Sequence, residues 1–267
     1  MNPVNVFLSK HGFDNDLVVV RLSGRAKRLI FKASLKKGIE IVVPKGTDPS
    51  WVAKATEDRL PWIKTAVTKL RKKRKQLHPT QIYLKAIGEN RSIEYVNEIH
   101  LSSGLKESGD SLLKVRKDPS DVYYVPRILQ SWVRKQARAS LLPWLDSLAK
   151  DRGLHFNRIY VKNQVSRWGS CSKKRNINLN RNLMFIPKHL VEYVLHHELT
   201  HLDHLNHSGK FWDSFRRVLP NCKELQRELR SLTPDDIPLW ASPGLDSAWF
   251  KNTALGWQGC SNTRIVL

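Results

Sequence analysis

The run His197-Glu198-Leu199-Thr200-His201 constrains this chain more than any other feature, because the chemistry it offers exists only on a helix. Residues four apart on an α-helix stand on one face, one turn apart, so the two imidazoles can aim at a single ion. Glu198 points in a neighbouring direction, within reach of a water on that ion without ligating it. Zinc brings such a water to a pKa of about 7, where a carboxylate accepts its proton while the metal polarises a carbonyl or phosphoryl group. Tyr193, Val194, Leu195, Leu199, Leu202 and Leu205 supply the helix with apolar residues, so the pair is expected on a packed element. His196 points elsewhere.

A catalytic zinc site needs a third protein ligand and keeps its fourth position for water. His204 lies on the face of His201 but about 10 Å along the axis from His197, too far for one ion with bonds near 2.0 Å. His207 suits if the helix ends soon after Leu202 and the chain turns back, with Asn206 able to take the left-handed turn conformation. A carboxylate of the following helix, Glu224 or Glu228, would complete a His2Glu site. The expected cofactor is one zinc ion per chain.

The rest of the chain reads as α+β. Alternation over Asp16–Leu22, Arg28–Ser34 and Ile39–Val43, with a turn at Lys37-Gly38, predicts antiparallel strands. Asp48 and Pro49 open a helix that Pro61 should kink or split and that ends on Arg71-Lys-Lys-Arg-Lys75, a charge run that suits a solvated helix end at the negative pole of the dipole or a phosphate-binding patch. Strand-like pieces follow at Gln81–Leu84, Ser92–Val96, Ile99–Leu101 and Val122–Val125. Pro126 starts a helix that Pro143 should bend, and strands at Arg158–Lys162 and Ile177–Asn180 precede the His-rich helix. Two shorter helices broken at Pro220 come after it. Three regions result: a basic β-rich part with its helix over 49–75 (1–125), a catalytic part (126–232) and an extension of uncertain order (233–267), whose tryptophans suggest that some of it packs.

Nine tryptophans and 40% apolar residues describe a folded protein, not a disordered one. Three cysteines without a CxxC pair, no secretory signal and no apolar run near the ~20 residues a bilayer requires point to the cytoplasm and away from membranes. The formal charge of +22 attracts polyanions, and residues 1–80 hold 18 Lys and Arg against 6 Asp and Glu. Nucleic acid bound through the basic N-terminal region is therefore a candidate partner.

The stretches Ser166-Arg-Trp-Gly-Ser-Cys-Ser172, Ile177-Asn-Leu-Asn180, Tyr193–Leu202 and Asn206-His-Ser208 with Phe211-Trp212 resemble the YgjP-like metal-dependent hydrolases, relatives of the SprT and WLM zinc peptidases. Val43–Gly46, Trp62-Ile63 and Gln136–Arg138 extend the likeness over roughly residues 17–232. The resemblance implies a zincin-like catalytic domain with His197, His201 and His207 as metal ligands and Glu198 as the catalytic residue. It departs at Arg181, where an aromatic residue is frequent, and in the tail after Leu232. Arg167 and Trp168 are candidates for stabilising an oxyanion and shaping the cleft, and Asn178 and Asn180 for binding substrate on a strand edge formed by Ile177–Asn180. Cys171 reads as a buried inert thiol.

The leading expectation is a peptidase acting on protein or peptide. The alternatives are a nucleoside triphosphate pyrophosphatase of the UTP type, an activity assigned within the resembled family, and a nucleic-acid-associated SprT-like protease or non-catalytic DNA-binding protein. A GxxxxGK[ST] loop and a Mg2+-type carboxylate cluster, which the second would favour, are missing from the sequence.

Overall fold

The computed structural model describes residues 17–97, 103–243 and 245, which fall into two compact units. The first, built on the chain up to His78, holds a three-stranded sheet of β1 (Val18–Ser23), β2 (Ile30–Ser34) and β3 (Gly38–Pro44) in the order β1-β3-β2. Ile39, Ile41, Val42 and Val43 of β3 are all buried, as suits a central strand covered on both faces. The β2–β3 pair is the expected antiparallel hairpin, turning at Gly38 with φ +73°, where a Cβ would come 2.3 Å from the Leu17 carbonyl oxygen. Only glycine passes there.

β1 runs parallel to β3, contrary to the antiparallel reading. Side-chain alternation fixes which residues face the core but carries no information on strand direction. Asp48 accepts from the Ser50 amide to cap α1 (Pro49–Asp58), and Pro61 splits the helical stretch rather than kinking it. It sits in the first turn of α2 (Leu60–Gln76), where its missing N–H costs no hydrogen bond. α2 packs on β3 and buries Ile63, Ala66, Val67 and Leu70.

Of the described residues, the second unit comprises 79–97, 103–118 and 124–243. Its first sheet has the order β4 (Gln81–Leu84), β5 (Glu89–Val96), β7 (Leu112–Arg116), β6 (Leu105–Ser108). These strands fall in the same compact unit as the metal-site elements. The Ala86 amide bonds the Met184 carbonyl at 3.2 Å, and the Trp132 indole donates to Glu107 at 3.3 Å. Ile99–Leu101 lies outside the described residues. The expected strand at Val122–Val125 is instead a turn entering α3 (Tyr124–Asp151), with Asp121 accepting from the Tyr123 amide. Packing overrides β-propensity here, since Val125 and Pro126 are buried in the helix. α3 carries Pro143 without ending.

A second sheet, β8 (Arg158–Lys162), β10 (Asn176–Asn180), β9 (Gly169–Cys171), leads through a 3-10 turn (Arg181–Phe185) into α4 (Lys188–Thr200). α5 (Gly209–Val218) and α6 (Cys222–Ser231) follow, separated around Pro220 as read from the sequence. No helix among the described residues is long and apolar enough to cross a membrane.

The start of the tail is ordered against this unit. Trp240 is buried edge-on to Phe185, with ring centroids 5.5 Å apart. Gln130 donates to the Trp240 carbonyl at 2.6 Å, and buried Arg181 donates to the carbonyls of Gln130 (3.3 Å) and Ala241 (3.2 Å). Arg181 and the tail, the two departures from the resembled pattern, thus meet in one contact. Trp249 and Trp257 lie outside the described residues.

Candidate metal centre

α4 ends at Thr200, and the turn that follows carries His201 and swings the chain back toward the helix. This brings His201 Nε2 to 3.1 Å and His207 Nε2 to 3.0 Å from His197 Nε2. His204 is not part of this group. Its backbone carbonyl instead accepts from His201 Nδ1 at 2.9 Å, which fixes that ring with its Nε2 lone pair turned inward. Glu228, the carboxylate alternative, is occupied by His189 at 2.7 Å, and Glu224 is exposed. His196 turns its ring toward Glu192.

The surroundings hold all three rings neutral. Burial, reinforced by the other two imidazoles, takes His197 down to about 2, and burial lowers His201 and His207 as well. Tyr193, Phe211 and Phe215 wall in His197, with ring centroids 6.1, 5.0 and 5.6 Å from it, and Trp212 stacks on His207 at 5.9 Å. The two separations from His197 Nε2, 3.1 and 3.0 Å, lie close to the roughly 3.3 Å edge of a tetrahedral site with bonds near 2.0–2.1 Å, and the ligand atoms of all three residues fall within 4.8 Å of one another.

Glu198 completes the fit. It is 1% exposed, its Oε2 has no hydrogen-bond partner, and burial pushes its carboxyl up to about 8 against the pull of Arg167. A cation between the imidazoles would supply the countercharge that this carboxylate lacks. Its position is set by β9, where a Cβ on Gly169 would lie 2.5 Å from Glu198 Oε1. The glycine lies inside a motif singled out from the sequence, but its contact with Glu198 is visible only in three dimensions.

The other candidate residues divide by role. Asn180 commits its whole amide to the fold, donating to the carbonyls of Gln164 and Arg167 at 2.9 Å each and accepting from the Asn182 amide. Asn178 donates to Ser170 Oγ at 3.1 Å and keeps a buried Oδ1 without a partner. Trp168 is buried with its indole N–H also unpartnered, whereas Arg167 is exposed. Ile177–Asn180 is not a sheet edge. β10 is the central strand, parallel to β8 and antiparallel to β9, so both its sides are taken. The edge beside Glu198 is β9. Cys171 keeps its proton, since burial and Glu198 raise its thiol to about 11.

Two arginines with no sequence motif brace the ligand-bearing chain. Arg152 donates to the His196 carbonyl and Thr200 Oγ1 at 3.3 and 3.2 Å. Arg175 has a left-handed φ of +57° and ties the His155 carbonyl (2.7 Å) to that of Leu202 (3.1 Å), the residue after His201. Arg175→Gly keeps the backbone conformation and removes the guanidinium. It is expected to weaken retention of a divalent metal by the three histidines about tenfold, the low end for groups behind a metal ligand. Chelator competition measures this, and unchanged retention would show that the brace is irrelevant to the site.

No curated protein matches the chain. The sequence profile of the YgjP-like family, described as a metallopeptidase domain, matches residues 27–232. The match spans the three histidines, Glu198 and the β9 edge, and stops just before the tail segment that Arg181 holds. The chain therefore belongs to the YgjP-like family and is a metal-dependent hydrolase of the peptidase type.

Proposed function

We propose that this protein is a zinc peptidase in which His197, His201 and His207 hold one ion and Glu198 is the general base. The observation that carries this reading is the convergence of three neutral Nε2 atoms beside a buried carboxylate. When bound, zinc supplies Lewis acidity toward the scissile carbonyl and acidifies the attacking water. Glu198 takes the proton from that water and delivers it to the leaving amine, while contact with Gly169 keeps its carboxylate in one orientation. An extended peptide adds through main-chain hydrogen bonds to the edge of β9 that is unpaired among the described residues. Arg167, exposed and electrostatically coupled to Glu198, is the candidate for charge developing on the carbonyl oxygen.

The test compares metal-stripped and zinc-reconstituted protein on an unfolded protein and on UTP. Zinc-dependent cleavage of the polypeptide, with UTP untouched, is expected. Hydrolysis of UTP without peptide cleavage would replace this reading with the phosphoanhydride one. His207→Ala should drop bound zinc well below one per chain, and a variant that kept full zinc would remove His207 from the ligand set.

A further inference from the structure

The strongest unexplained feature lies outside the metal centre. α2 carries seven cations in 17 residues and no acid. Its apolar stripe of Ile63, Ala66, Val67 and Leu70 is buried on β3, which leaves Lys64, Lys69, Arg71, Lys72 and Lys75 exposed on the outer arc. That arc covers the 12 residues from Lys64 to Lys75, about 16 Å of helix axis.

The described part of this unit up to His78 holds 17 Lys and Arg against 4 Asp and Glu, a net +13. Two of the four acids are committed elsewhere, Glu40 to Arg21 and Lys37, and Asp48 to the cap of α1. Helix stability does not account for the arc. Cations in the last turn favour the dipole, but Lys64 and Lys69 lie earlier, and the pairs Lys69/Lys72, Lys72/Lys75 and Arg71/Lys75 set like charges three or four residues apart.

We propose that this face of α2 binds the phosphate backbone of nucleic acid, independently of the metal centre. A duplex offers one negative charge per about 1.7 Å of axis, a linear array that a 16 Å row of ammonium groups can follow. An anionic bilayer fits less well, because an interfacial helix inserts an apolar face. The apolar stripe of α2 is spent on β3, and besides the cations its exposed residues are Thr65, Thr68, Gln76 and a single apolar one, Pro61 in the first turn.

The test titrates the full chain into a fluorescent 20-base-pair duplex of arbitrary sequence between 50 and 200 mM salt. With about four phosphates neutralised, affinity should fall roughly a hundredfold over that range, whether or not zinc is present. The combined variant Lys64→Gln, Lys69→Gln, Lys72→Gln, Lys75→Gln should flatten the salt dependence while peptide hydrolysis and far-UV circular dichroism stay unchanged. No duplex binding by the parent chain, an unaltered slope in the variant, or tighter binding to phosphatidylserine vesicles than to the duplex would each overturn the proposal.

Discussion

Glu198→Gln is expected to lower peptide hydrolysis by about 10²–10⁴-fold, the range for loss of a positioned general base, while bound zinc stays near one per chain. Glutamine has nearly the same shape, so the side chain can still pack against Gly169 and leave the three histidines in place. It cannot accept the proton of the attacking water. The stability arm sharpens the test. Glu198 is fully buried, and burial penalises its charged form, so a neutral amide should fold at least as well as the carboxylate in metal-free protein. The variant should therefore lose activity without losing thermal stability. Activity within tenfold of the parent at full zinc occupancy would take Glu198 out of the mechanism, and loss of zinc together with activity would make it a structural support for the ligands.

Much of this site is legible along the chain because a helix turns sequence spacing into spatial proximity. The pair His197 and His201, and Glu198 beside them, follow from the 3.6-residue repeat. His207 needed one further condition, an early helix end, and the turn after Thr200 meets it. Properties of the sheets were hidden. Nothing in the alternation of Ile177–Asn180 tells whether the strand is central or at an edge, because pairing partners lie elsewhere in the chain. The edge therefore moved from β10 to β9, and with it the expected seat of an extended substrate. Asn180 looked like a substrate ligand because a polar residue beside the metal helix invites that reading, yet its hydrogen bonds all go to the fold. Arg175 could not be found from sequence, since a left-handed backbone at a non-glycine residue carries no local signature.

Trp240→Ala is expected to destabilise the second unit by about 3–5 kcal/mol, the usual cost of deleting a large buried aromatic side chain. Against a total stability of about 5–15 kcal/mol, that loss brings the unit close to unfolding at room temperature. Two effects combine. The ring leaves a cavity against Phe185, and the loosened 239–241 turn no longer presents the Ala241 carbonyl firmly to Arg181, a buried cation whose Nε already lacks a partner. Burial lowers the Arg181 pKa to about 10, a sign of how poorly its charge is compensated. The 3-10 turn containing Arg181 and Phe185 runs directly into α4, so the damage should also reach the metal ligands as faster loss of zinc to a chelator. Arg181→Leu separates the two effects. If the tail stabilises the unit partly by satisfying this cation, Trp240→Ala should cost measurably less in the Arg181→Leu background, read as a smaller shift in the urea midpoint at constant slope. Strict additivity would mean that Trp240 acts by packing alone. A shift below about 1 kcal/mol in the parent background would mean that the tail beyond the family's boundary is no part of this fold.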